Sequence, residues 1–350
     1  MRLGIDRARL LLISISCTCL LIQPAARAGK SLEIYFIDVE GGQSTLIVDP
    51  QGESLLIDTG WPDSNDRDAE RILAATKTAN ISHIDYLILT HYHSDHAGGV
   101  SQLASRIPIA AFADHGPNME PTAETSANYA TYLKVVAQSQ RLILRPGDAL
   151  PFKGMHVEVL TSAGAVIAMP LPGAGELNPL CPQLPSAPAD ASENSRSVGL
   201  LVSYGQFRFI DLGDLTIRGE LGLACPRNLI GRVDLYLTTH HGTAHPGTGD
   251  SSNAREIVDA LRPRVAVMNN GAIKGGHPVA WQIVRDSPGL EDLWQLHYAV
   301  MSDRDHNVPD QFIANIDASD DGHFIEVLAE PNATFTVINS RNHFQKTYQK

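Results

Sequence analysis

Residues 89–99 read Leu-Thr-His-Tyr-His-Ser-Asp-His-Ala-Gly-Gly and place three histidines and an aspartate within six positions. The segment before them, Ile84-Asp85-Tyr86-Leu87-Ile88-Leu89, is apolar and rich in β-formers. The pattern predicts a buried strand that ends in a tight loop, with imidazoles and a carboxylate collected at its tip. Neutral imidazole nitrogen and carboxylate oxygen are the ligands that suit zinc and related metals. His91, His93, Asp95 and His96 are therefore the first candidate metal ligands, and the chain must fold so that a buried strand delivers them together.

Three further segments end an apolar strand in polar, chemistry-bearing residues. In Phe209-Ile210-Asp211-Leu212-Gly213-Asp214-Leu215 the strand closes on Gly-Asp. Asp211 lies three residues before Asp214, and strand alternation puts it on the other face. In Asp234–Thr243 the strand terminates in His240-His241-Gly242. Adjacent strand residues point to opposite faces, so one of the two histidines is expected at a metal and not both. Asn269–His277 is a polar, glycine-rich loop after a strand. Lys274 and backbone amides there would cradle a phosphate oxygen, and an ordinary turn explains the composition equally well.

The pattern H-x-H-x-D-H at 91–96 resembles the signature of the metallo-β-lactamase superfamily. That resemblance implies His91 and His93 at one metal, Asp95 and His96 at a second, and Asp214 bridging both. Two ions about 3.5–4 Å apart can share a hydroxide and polarise a scissile bond at neutral pH. Related enzymes carry a last zinc ligand at the His-His-Gly position. The spacing favours His240 there, with His241 behind it or facing substrate; the swapped assignment stays open. Asp58, in Leu56-Ile57-Asp58-Thr59-Gly60, matches an aspartate that orients the metal loop by hydrogen bonds.

A narrower resemblance is to the hydrolase domain of ComEC-type competence proteins. Phe36-Ile37-Asp38-Val39-Glu40-Gly41-Gly42-Gln43-Ser44 carries it, followed in order by Asn194–Val198, Tyr204-Gly205, Gly213-Asp214, His240-His241-Gly242 and Gly276-His277-Pro278. The match extends over most of residues 32–290 and gives His277 a place among the site candidates. Two positions depart from the pattern. Gln43 stands where that branch has aspartate. The superfamily's third histidine for the first metal is replaced by Glu193-Asn194-Ser195, which leaves His115, Asn194 or water to complete the His91/His93 site. What the resemblance implies is an αββα four-layer sandwich of class α/β (α+β). Its expected activity is that of a dinuclear zinc hydrolase, with manganese as an alternative metal, whose metal-bound hydroxide attacks a phosphoester or phosphodiester. Asp95, Asp214, His241, His277 and Lys274 are the catalytic candidates. β-Lactam or lactone hydrolysis is the second reading, and a non-catalytic metal-stabilised binding protein the third.

Arg2, Arg7 and Arg9 precede an apolar core, Leu10–Ile22, that is short for a bilayer span, and Ala26-Arg27-Ala28 fits a small-x-small cleavage rule. Residues 1–28 are thus expected to be a signal peptide, and residues 29–350 a single exported domain, periplasmic or secreted, with no membrane span after cleavage. The leader carries four arginines against one aspartate, so its removal leaves the rest more acidic than the whole chain's −12. Without a basic run, extended nucleic acid is not an expected partner; a small-molecule or ester substrate is. Cys181 and Cys225 are the two cysteines outside the leader, and an exported chain is expected to pair them. Residues 163–193, dense in Pro, Ala and Gly, read as a surface insertion.

Strands are expected at Leu32–Val39, Ser44–Val48, Ser54–Ile57, Ile107–Phe112, Ser197–Ser203, Phe207–Leu212, Asp234–Thr239 and Arg264–Met268. A pair of strands is expected around Gly154, and a hairpin over 322–340. Helices are expected at Asp66–Thr78, Gly99–Arg106, Ser126–Ser139, Ser252–Leu261 and Val279–Arg285.

Overall fold

The structure, a computed structural model, describes residues 31–62, 65–181, 190–244, 251–317 and 322–350. The expected signal peptide and part of the Pro/Ala-rich insertion lie outside the described residues. Two nine-stranded sheets form the body of the molecule. The first contains β1 (Leu32–Phe36), β2 (Thr45–Val48), β3 (Ser54–Ile57), β4 (Ile84–Ile88), β5 (Ile109–Asp114) and β6 (Gln140–Ile143). The second contains β7 (Ala149–Leu150), β8 (His156–Ser162), β9 (Ala165–Val166), β10 (Gly199–Tyr204), β11 (Phe207–Asp211), β12 (Leu235–Leu237), β13 (Val265–Met268), β14 (Asp292–His297) and β15 (Ile313–Asn315). The chain then returns to the first sheet as β16 (Ile325–Ala329), β17 (Phe335–Asn339) and β18 (Gln345–Tyr348). Antiparallel pairing runs from β18 through β16 to β1, β2 and β3, and β3 to β6 are parallel. In the second sheet β11 to β15 are parallel.

Alternation along the strands explains why the sheets stack. On β11 and β12, Phe209, Leu235 and Leu237 join a core shared with Ile34, Phe36, Ile57 and Ile88 of the first sheet. The rings of Phe36 and Phe209 meet edge to face at 5.6 Å. Their neighbours Ile210 and Tyr236 point the other way, toward α5 (Ile217–Ala224), α6 (Arg255–Leu261) and α7 (Pro278–Arg285). The outer face of the first sheet is covered by α1 (Arg67–Thr78), α3 (Val100–Ala104) and α4 (Ala123–Val136). The short α2 (Ser94–Ala97) carries part of the metal motif. The result is the expected αββα sandwich of the metallo-β-lactamase fold.

Some boundaries differ for local reasons. The strand expected through Thr239 stops at Leu237, and Thr239–Gly242 is a tight turn with His240 and His241 both in the left-handed region. Strands not expected from the sequence, β9, β14, β15 and β18 among them, are also present. β14 holds Gln295 fully buried, with its side-chain carbonyl accepting the Val308 N–H. A buried glutamine interrupts the apolar pattern by which such a strand is read. Cys181 and Cys225 are joined by a disulfide. Among the described residues no helix is long and apolar enough to cross a membrane.

Candidate metal centre

The parallel strands β4, β11 and β12 end on the same rim of the sandwich, and each delivers ligands just past its last residue. Crevices beyond the carboxyl ends of parallel strands are where such folds place their chemistry. After β4, Thr90 anchors the motif. Its N–H and hydroxyl both donate to Asp58, at 2.7 Å each. Asp58 also holds His96 Nδ1 at 2.7 Å, which aims His96 Nε2 at the centre. Thus Asp58 orients a ligand from outside, the arrangement that fixes an imidazole's tautomer.

Asp95, His96, Asp214 and His241 form a buried group whose ligand atoms all lie within 4.8 Å of one another. His96 Nε2 is 3.3 Å from Asp95 Oδ2 and 3.2 Å from Asp214 Oδ2. His241 Nε2 is 3.1 Å from Asp95 and 3.3 Å from Asp214. Asp214 reaches this place because Gly213 turns the chain at φ 56°, a left-handed conformation that glycine adopts freely. Asp214 Oδ2 meets three imidazoles, whereas Oδ1 is buried without a hydrogen-bond partner. A buried carboxylate oxygen without a partner is costly, and a cation would satisfy it. The donor set, buried carboxylates and imidazoles facing one another, therefore fits a metal.

The charges follow from the packing. Against the effect of burial, His240, His241 and His96 hold the Asp214 carboxyl well below its usual range. Against the same effect, His96 and Lys274 hold Asp95 down. His96 stays well above the ordinary imidazole value despite burial, because Asp214, Asp95 and Asp58 surround it. Burial, with His96 and His93 as neighbours, pushes His91 well below it. A neutral His91 has a lone pair free for a metal.

His91 and His93 form a second pair. His91 Nε2 and His93 Nδ1 face each other at 3.1 Å, and Thr90 Oγ1 lies 3.0 Å from His91 Nδ1. His93 Nε2 contacts Glu120 Oε2 at 3.3 Å. Glu120 has no recognisable pattern around it in the sequence, and its position comes wholly from the loop before α4. It also accepts the Glu193 N–H at 2.7 Å. Glu193 in turn accepts from Tyr92 N and Met119 N and contacts His115 Nε2 at 3.0 Å. His115, considered as a ligand from its loop position, is thus engaged by Glu193. Asn194 is buried in the turn that follows.

The expected division between His240 and His241 is reversed in the geometry. His241 Nε2 joins the four-residue group, whereas His240 Nε2 lies 3.4 Å from Asp214 and is not part of that group. The alternation argument failed because neither residue is in a strand; φ values of 54° and 56° turn both rings toward the same rim. His277 is not brought into the group. It precedes α7, and its Nδ1 accepts the Val279 N–H at 3.2 Å. Lys274 does arrive, with Nζ against Asp95 Oδ2 and 4.8 Å from the centre of the Trp61 ring. Asp211 stays outside the group. Both its oxygens accept from Gln43 Nε2 at 3.0 Å, and Oδ1 also accepts the Gly213 N–H at 2.9 Å. Burial, offset by these donors, pushes its carboxyl up to about 7. An amide at position 43 therefore supplies a donor where a second carboxylate would repel.

Comparison with known proteins agrees with this geometry. Residues 37–178 match the family model described as the metallo-beta-lactamase superfamily. Recombination protein 2 of Haemophilus influenzae is 24% identical over 272 residues, covering 77% of this chain and 28% of that protein. Thioesterase pkgB of Emericella nidulans is 32% identical over 109 residues, 31% of this chain and 30% of that one. This chain thus spans under a third of the length of either relative. A solved HARLDQ-motif mutant of a metallo-beta-lactamase from Cronobacter sakazakii is 15% identical, with the match covering 58% of this chain and 75% of that one at a TM-score of 0.38. The motif, the fold and the match over residues 37–178 agree in relating this chain to the metallo-β-lactamase superfamily.

Proposed function

We propose that this chain is an exported, dinuclear zinc hydrolase acting on a small phosphoester or phosphodiester. The observation that carries the reading is Asp214, whose Oδ2 is shared by imidazoles and whose buried Oδ1 has no partner. His91 Nε2 and His93 Nδ1 would hold one ion; Asp95, His96 and His241 would hold the other, with Asp214 common to both. The chemistry such a metal pair supplies when bound is activation of water and polarisation of the scissile bond. Glu120 and Asp58 hold His93 and His96 in register, so that the ligand atoms face inward before any ion binds. Lys274, a cation at the rim paired with Asp95 and lying over Trp61, is placed to meet a substrate's anionic oxygen. The disulfide supports export to an oxidising compartment.

Purified protein reconstituted with zinc or manganese should release nitrophenol from a bis-nitrophenyl phosphate or a nitrophenyl phosphate, with up to two ions per chain by elemental analysis. Turnover of a lactone or a chromogenic cephalosporin, with both phosphoesters untouched, would overturn the substrate class. Stoichiometric metal with no turnover on any of these would favour a metal-stabilised binding protein.

A further inference from the structure

The chain is acidic overall, yet one cavity of about 430 Å³ is lined by Arg208, Arg232, Arg262, Arg264 and Lys350, with Asp234 as the only acidic side chain in its wall. It lies at the end of the second sheet opposite the metal centre. Arg208 is at the start of β11, Arg232 precedes β12 and Arg264 precedes β13. Asp214 and His241, by contrast, follow the far ends of β11 and β12. Nothing in the proposed hydrolysis uses this cavity.

Its arginines divide into two kinds. Arg208 and Arg264 are fixed. Arg208 donates to the carbonyls of Arg232 at 2.7 Å and Ile230 at 2.8 Å. Gly231, at φ 87°, lets the backbone wrap this guanidinium; a Cβ there would lie 3.0 Å from Arg208 Nη1. Arg264 donates to Glu291, Ala333 and Gln349 and lies 5.2 Å from the Phe335 ring centre. Arg232 and Arg262 are exposed, and neither forms an ion pair with an acidic side chain among the described residues. Arg262 ends α6 in the left-handed region, at φ 46°, where glycine would be easier. A long cationic side chain is thus carried at a strained backbone position on the rim of a basic cavity.

We infer that this cavity binds an oligophosphate anion, free or as the tail of a nucleotide, with Arg232 and Arg262 as its direct ligands and Arg208 and Arg264 as the fixed positive field behind them. Guanidinium forks match phosphate oxygens in pairs. Four arginines and Lys350 against two acids, Asp234 in the wall and the Glu291 paired with Arg264, favour a ligand that carries several negative charges over a single carboxylate.

The test is calorimetric titration of the full chain, dialysed free of metal because oligophosphates chelate divalent ions, with sodium tripolyphosphate, ATP and citrate. Tripolyphosphate should bind, and the double variant Arg232→Gln/Arg262→Gly should weaken it at least tenfold. Arg262→Gly alone should weaken binding while leaving the melting temperature equal or higher, since it relieves the left-handed arginine. ATP at least tenfold tighter than tripolyphosphate would identify a nucleotide tail, and equal or weaker ATP a free oligophosphate. No binding at low salt, binding unchanged in the double variant, or citrate bound as tightly as tripolyphosphate would each overturn the assignment.

Discussion

At the scale of single residues, the centre turns on which atoms are shared. In the proposed two-metal arrangement Asp214 alone would belong to both ligand sets, so Asp214→Asn should lower turnover by two or more orders of magnitude, about 3 kcal/mol of barrier. Asp211→Asn should cost less than tenfold, since its carboxylate serves Gln43 and Gly213 and not the group itself. Steady-state rates on the same phosphoester, with melts to show that both variants fold, decide this. Equal activity of Asp214→Asn and wild type would end the two-metal reading. Glu220 supplies a pH signature away from the ligands. It is fully buried, accepts the N–H groups of Asn253 and Ala254, and burial pushes its carboxyl from 4.5 up to about 7. Because the folded value lies above the unfolded one, its contribution is full below about pH 4.5 and is lost as pH rises toward 7, by something on the order of 3 kcal/mol. Denaturant melts should therefore show the stability of wild type falling relative to Glu220→Gln as pH rises across that window; parallel curves would contradict it.

At the scale of elements, the disulfide and the tight turns hold the loops that surround the rim. Cys225 closes α5, and its bond to Cys181 spans 44 residues of sequence. Chain entropy sets the stabilisation from a loop of that length at about 4 kcal/mol as an upper figure. Cys225→Ser should lose a measurable part of this in guanidinium melts, and added reductant should bring wild type down to the variant. A reductant-insensitive wild type would show that the bond does not form. The turn Thr239–Gly242 is the element least readable beforehand. A period-two pattern through Leu235-Tyr236-Leu237 gives no sign that the next residues leave the strand with two histidines in the left-handed region. His241→Ala should accordingly weaken metal retention against a chelator more than His240→Ala does.

At the scale of the whole molecule, the two sheets bring together candidate ligands more than a hundred residues apart in sequence, so metal held by them would be coupled to folding. A ligand that binds only the folded state at a thousandfold excess over its Kd stabilises by about 4 kcal/mol. Removing metal with a chelator should therefore lower the melting temperature by several degrees, and restoring zinc should reverse it. Coincident melts of metal-free and zinc-loaded protein would argue against any specific site. The charge distribution is likewise a property of the assembled fold: carboxylates and imidazoles gather at one end of the second sheet and arginines at the other.

The sequence by itself determined the tip after β4, because an apolar β-rich run and four ligands within six positions are local facts. It also determined the Gly-Asp end of β11; the layered fold was an expectation carried by the family resemblance, and alternation along each strand stated only which side chains are buried. Tertiary structure alone decided that His241 and not His240 joins the group, because a left-handed turn overrides strand alternation. It decided that Glu120 backs His93 and that His115 is held by Glu193, contacts made across loops with no period to read. It decided, too, that Arg208, Arg232, Arg262 and Arg264 share one cavity. Their separation in sequence carries no signal, and only the parallel register of β11, β12 and β13 sets their strand starts side by side.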